Sequence, residues 1–155
     1  MKIIVFRAKT FLIICLIIGV LLSTLYTPAV QSVFSASNGR SLPIYSVQTE
    51  EKKVAIGINC AWDDSDIPAM LSCLAEQKVN ATFFLLGEWA EKYPVSAATI
   101  AKSGQEIGSH SYSHRDLDSL SQSEILNEIS QSQQSIQKAC GQTPVLFRPP
   151  SGSYN

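Results

Sequence analysis

The sequence lacks a basic tract, a zinc-ribbon cysteine pattern and any histidine beyond two. Its 12 Lys and Arg are balanced by 13 Asp and Glu, and no cluster of cations follows residue 10. We therefore expect no nucleic acid partner, because nothing here could coat a phosphate backbone. Outside the apolar N-terminal stretch only Cys60, Cys73 and Cys140 remain, which allows at most one internal disulfide and fits no zinc ribbon.

The first thirty residues have the pattern of a targeting segment. Lys2, Arg7 and Lys9 precede an uncharged, mostly apolar stretch over residues 10–30. This stretch predicts a hydrophobic helix, either a cleaved signal peptide or a transmembrane signal anchor, with the rest of the chain outside the cytoplasm. We expect a linker over 31–50 and a globular domain over 51–155. The protein is then extracytoplasmic, either secreted or attached to the membrane through the N-terminal helix.

The globular part alternates short apolar runs with helical patterns. Strands are predicted over 54–58, 81–86, 106–110 and 145–148. Short helices are predicted around Pro94, a helix is expected to begin at Asp66 as its N-cap, and a longer one to begin at the capping box of Ser121 and Glu124. This order predicts an α/β fold with a parallel sheet. Polar residues at the carboxyl ends of such strands meet on one rim, where α/β barrels build their sites.

Three short stretches carry the chemistry. His110 and His114 lie four residues apart and can share one divalent cation. Asp63 and Asp64 follow the first strand and can supply a third ligand and a base for a water molecule, although acidic residues also favour helix N-termini. Arg148 ends the fourth strand and can hold a carboxylate. Pro149 and Pro150 after it predict a rigid, extended exit whose loop amides can bind an oxyanion.

The order of these motifs resembles a known family. The segments Ala81-Thr-Phe-Phe84, Gly104-Gln-Glu-Ile-Gly-Ser-His-Ser-Tyr-Ser-His114 and Leu146-Phe-Arg-Pro-Pro150 look like those of the polysaccharide deacetylases, the NodB-homology domain of carbohydrate esterase family 4. The resemblance implies an incomplete, distorted (β/α) barrel of the NodB-homology type. It also implies a divalent metal, usually zinc, and hydrolysis of N-acetyl groups on peptidoglycan, chitin-like or related polysaccharide.

The resemblance assigns roles to residues of this chain. His110 and His114 match the histidine ligands, and Arg148 matches the arginine that orients the base. We expect Asp64 as the third metal ligand, Asp63 as the base, and Pro150 and Ser151 as substrate contacts.

The sequence departs from the family pattern in three ways. Asn59 and Cys60 occupy the place of the paired aspartates directly after the first strand. Ser151 stands where tyrosine is common, and the chain has no further histidine to act as general acid. We therefore expect a truncated and impaired deacetylase. The alternative is a catalytically inactive relic that binds the cell wall.

Overall fold

The structure is a computed structural model that describes residues 16–18 and 43–153. Nearly all of the predicted targeting segment, and the linker up to residue 42, lie outside the described residues; Leu16–Ile18 is helical. Within the described ranges, no helix combines the length and the apolar character needed to cross a bilayer. The chain divides into two compact units, Met1–Glu51 and Lys52–Asn155, and the second contains the sheet.

The second unit is an α/β structure with parallel strands, as the sequence predicts. Its strands are β1 (Gly57–Cys60), β2 (Thr82–Leu85) and β3 (Glu106–Ser109). Its helices are α1 (Ile67–Gln77), α2 (Gly87–Lys92), α3 (Pro94–Lys102) and α4 (Gln122–Cys140), with 3-10 turns at Leu117–Ser119 and Pro150–Gly152. In the described part of the chain the strands form one open parallel sheet in the order β1-β2-β3. The sheet is not closed into a barrel.

The core lies where β2, buried along most of its length, meets the helices. Phe83 and Leu85 are fully buried, and they join Trp89, Ile100 and Ile136 in one apolar cluster. Burial of such large apolar side chains is the main force that holds the helices on the sheet. The carboxyl ends of the three strands are thereby fixed beside one another.

Two predicted strands differ from the structure. The first begins three residues later than expected, because β1 pairs with β2 only from Gly57 opposite Thr82 onward, and Val54 is exposed. The predicted fourth strand is reduced to one bridge, in which Phe147 pairs with Ser109. The proline at position 149 has no N–H with which to extend this pairing.

The helix termini follow the predicted chemistry with one exception. The capping box at the start of α4 is confirmed, since Ser121 and Glu124 each bond to the other's backbone N–H. Asp66 occupies the N-cap position of α1, but among the described contacts its side chain makes no capping hydrogen bond. The exit after Arg148 is also not fully extended, because Pro150–Gly152 form a turn in which Ser151 has φ 54°.

Candidate functional site

The sheet register aligns three residues under the Arg148 side chain. Asn59 pairs with Phe84, which pairs with Gly108, so all three lie in one row across the carboxyl end of the sheet. The Phe84 ring fills the space where a side chain on Gly108 would lie. The guanidinium carbon of Arg148 lies 4.1 Å from the centre of that ring, a cation–π contact. This contact holds the guanidinium over the Phe84 ring.

The arginine is bonded to an amide. Nη1 of Arg148 donates to Oδ1 of Asn59 at 2.9 Å. An amide accepts this hydrogen bond as a carboxylate would, but it carries no charge and does not titrate. Arg148, which the resemblance assigns to orient the base, is therefore paired with a neutral side chain.

The two predicted histidine ligands face each other. The ring centres of His110 and His114 are 5.1 Å apart, with the planes at 80°. Nδ1 of His110 donates to the main-chain oxygen of Arg148 at 2.7 Å, because a carbonyl can only accept. Its Nε2 atom therefore keeps a free lone pair, the form that binds metals. Burial lowers the pKa of His110 below its ordinary value of 6.5, which outweighs this hydrogen bond.

The two predicted acidic residues are engaged elsewhere. Oδ2 of Asp64 accepts from Oγ of Ser96 at 2.6 Å, and the Asp63 carboxylate accepts from Oγ of Ser65 at 2.7 Å. The hydroxyl of Ser65, together with nearby backbone amides, lowers the pKa of Asp63. The indole of Trp89 also fixes the loop by donating to the main-chain oxygen of Asp63. Roles for Asp63 and Asp64 at the histidines require this loop to rearrange, and they stay predictions.

The described side chains do not supply enough ligands for a metal site. Over residues 16–18 and 43–153, no three His, Cys, Asp or Glu side chains are placed to hold one ion together. Two imidazoles alone do not supply the three protein ligands of a catalytic zinc centre. The residues present, in this arrangement, therefore do not fit the metal that the resemblance implies.

Comparison with known proteins identifies the family. The family model for polysaccharide deacetylases matches residues 46–155. The chain belongs to the polysaccharide deacetylase family. This confirms the resemblance seen in the motifs.

The relatives include deacetylases and a pseudoenzyme. Over 112 residues the chain is 39% identical to YlxY of Bacillus subtilis, an alignment that covers 72% of this chain and 35% of the relative. It is 38% identical to the peptidoglycan-N-acetylmuramic acid deacetylase PdaC of the same organism, covering 71% of this chain and 24% of PdaC.

Among solved structures, a CE4 family pseudoenzyme from Bacillus anthracis has a TM-score of 0.71 and 37% identity, covering 74% of this chain and 41% of that one. A mutant of that pseudoenzyme is described as having restored enzymatic activity. The chain spans less than half the length of each of these relatives.

Within this family, the end of β1 is the position of the paired aspartates that the resemblance implies. Asn59 stands there and accepts a hydrogen bond from Arg148. Cys60, the next residue, is 3% exposed and lies in the apolar core. Burial, followed by the charge of Asp66, raises the pKa of the Cys60 thiol to about 12. Its side chain is therefore a neutral thiol in this arrangement.

A large exposed aromatic residue lies beside the histidines. Trp62 is 82% exposed, and its ring centre lies 6.5 Å from that of His114. The two predicted substrate contacts differ in exposure, since Pro150 is buried and Ser151 is exposed. Trp62 was not expected from its sequence position, and a tryptophan directly after a strand end was the available signal.

A contribution of α4 to the site was also not predicted. The sequence predicts an apolar side formed by Ile125, Ile129 and Ile136, of which Ile136 is buried and the other two are half-buried. The other buried residues of the helix are polar: Glu128, Ser132 and Ser135. Their helical spacing was the available signal. Ser132 bonds to Ser109 at the end of β3, and Glu128 bonds to the segment between the histidines.

Proposed function

We propose that this domain binds N-acetylated cell-wall polysaccharide, such as peptidoglycan, and that it is strongly impaired in deacetylation. Family membership and relatives named peptidoglycan deacetylases support the substrate class. The main support for impaired deacetylation is the hydrogen bond from Arg148 to Asn59. The arginine that would orient a base orients an amide.

An amide at this position removes a step that deacetylation needs. Water must lose a proton as it attacks the acetyl carbonyl, and an unionisable side chain cannot take it. Loss of a positioned acid or base typically costs about 10²–10⁴-fold in rate. The absence of a third ligand beside His110 and His114 in the described residues adds to the deficit. We therefore assign no catalytic step to a metal in this chain.

The binding surface remains available without this chemistry. The exposed indole of Trp62 offers a flat apolar face, and aromatic faces of this kind can stack on sugar rings. His114, which is half-buried beside Trp62, has polar ring nitrogens that can bond to sugar hydroxyls. Ser151 supplies an exposed hydroxyl in the same loop as Arg148. We propose that these side chains form one polysaccharide-binding rim.

A second candidate function is an active deacetylase in which Asp63 serves as the base and Asp64 completes a zinc site with the histidines. The exposure of Asp63 favours this candidate, but the hydrogen bond from Ser65 lowers the pKa of its carboxylate and so makes it a weaker base. The hydrogen bond of Asp64 to Ser96 weighs against it. The two candidates differ in whether acetate is released.

The predicted targeting segment places this function at the cell envelope. Three cations followed by an uncharged apolar stretch are typical of export, and peptidoglycan lies outside the cytoplasmic membrane. We propose an extracytoplasmic protein that is either secreted or retained by its N-terminal helix.

The experiment introduces a carboxylate at the end of β1. The variant Asn59→Asp is compared with wild type and with Asn80→Asp, a matched control at the opposite end of β2, all with added zinc, for acetate released from purified peptidoglycan. We expect acetate release above background only in Asn59→Asp, because this variant gains a side chain that can accept the proton of the attacking water. Acetate release by wild type that is lost in Asp63→Asn would instead support the second candidate.

A further inference from the structure

We propose that Glu128 is a positioning residue that fixes the loop between His110 and His114 and thereby makes the two imidazoles face each other. The importance of that arrangement rests on the proposed function, but the geometry and its test do not.

One carboxylate accepts four hydrogen bonds from this loop. Oε2 of Glu128 accepts from Oγ of Ser111 at 2.7 Å, the N–H of Tyr112 at 3.1 Å and the N–H of Ser113 at 2.9 Å. Its Oε1 accepts from Oγ of Ser113 at 2.7 Å. Glu128 comes from α4, so these bonds tie the loop to a separate element.

The carboxylate is ionised although it is buried. Its residue is 6% exposed, and burial alone would raise the pKa of Glu128. The hydrogen bonds from Ser113, Ser111 and Tyr112 outweigh burial and lower that pKa. Hydrogen bonds to a charged acceptor are about twice as strong as those between neutral groups. The loop donors and the buried charge therefore stabilise each other.

The loop needs stabilising contacts from other segments because two of its residues have unfavourable backbone conformations. Ser111 has φ 74° and His114 has φ 63°, which lie in the left-handed region that non-glycine residues avoid. Its carbonyls are held from the other side, where the N–H groups of Gly87 and Glu88 donate to the oxygens of Ser111 and Tyr112. The N–H groups of Tyr112 and Ser113, in contrast, depend on Glu128. Without it, they would have to reach water, and the loop would relax away from this conformation.

The test uses the fact that His110 and His114 are the two histidines of the chain, so their imidazole signals are easily assigned. A nuclear Overhauser cross-peak between the two rings reports their facing geometry in the full chain, without metal or substrate. The variants are Glu128→Leu, Glu128→Gln and Ser121→Ala. The last is a control that weakens the same helix at its N-cap, away from the loop.

We expect the cross-peak in wild type, in Ser121→Ala and in Glu128→Gln. The glutamine oxygen can replace Oε2, and the Ser113 hydroxyl can accept from the new amide group. We expect it to be absent in folded Glu128→Leu, which has no acceptor. A cross-peak of wild-type intensity in Glu128→Leu would overturn the proposal.

A second variant with a shorter acidic side chain tests the proposal if Glu128→Leu does not fold. Glu128→Asp keeps the charge but withdraws the oxygens from the loop. We expect a weaker cross-peak, with amide exchange of Tyr112 and Ser113 faster by about tenfold, the equivalent of one lost hydrogen bond. Unchanged exchange and an unchanged cross-peak would overturn the proposal. Neither readout depends on polysaccharide binding, so failure of the proposed function would leave both unaffected.

Discussion

Asn59→Asp tests whether residue 59 is the partner of Arg148. The guanidinium already donates to Oδ1 of Asn59 at 2.9 Å, so the substitution converts a hydrogen bond to an amide into an ion pair of similar geometry. Two unit charges this close gain about 1 kcal/mol in water, and partly exposed pairs contribute about 0.2–1 kcal/mol. Because Asn59 is exposed and Arg148 half-buried, we expect a coupling of about 0.5–1 kcal/mol.

The assay is a double-mutant cycle with Arg148→Gln, measured by urea unfolding at pH 7. The new carboxylate should have a folded-state pKa below its unfolded value of about 3.9. Its coupling is therefore full well above that value and disappears as the pH falls through the folded-state pKa. Asn80→Asp is the matched control, because Asn80 precedes the opposite end of β2 and should show no coupling to Arg148. Equal coupling at positions 59 and 80, or none at position 59, would refute the conclusion that residue 59 is the partner of Arg148.

Three further predictions concern binding, capping and pH. Trp62→Ala should weaken binding to peptidoglycan by about tenfold and change the free energy of unfolding by less than about 0.5 kcal/mol, since the ring is exposed; unchanged binding would contradict the rim. Ser121→Ala should lower the free energy of unfolding by about 1 kcal/mol in urea, whereas Ser130→Ala on the same helix should not; equal effects would argue against the cap. The hydroxyl and N–H of Ser121, with Arg115, lower the pKa of Glu124 to about 2, so the stability gap between wild type and Glu124→Gln should be full above pH 4.5 and close towards pH 2; a constant gap would count against this pairing.

The sequence was most informative where local chemistry decides the structure. The capping box of α4 is satisfied by groups three residues apart, and Gly141 ends that helix in the left-handed conformation. The buried strand β2 was predicted within one residue at each end, because a short apolar run bounded by Gly87 has few alternatives. The parallel arrangement followed from the alternation of strands and helices.

The sequence was least informative where partners come from distant segments. The first strand was placed too early because Val54 and Ile56 look like strand residues, yet pairing with β2 starts only at Gly57. Burial of Ile136 in α4 was predicted, but burial of Glu128 was not, because its partners lie in the histidine loop, 15 or more residues away along the chain. The pairing of Asn59 with Arg148 joins residues 89 positions apart, and no local pattern reports it.

The most direct measurement follows binding and acetate release by the wild-type chain in the same suspension of N-acetylated peptidoglycan. The account predicts that the protein binds, that Trp62→Ala weakens this binding, and that acetate appears no faster than in a protein-free sample. Acetate release above that background, abolished by His110→Ala, would contradict the claim that an amide beside Arg148 leaves the site without a base.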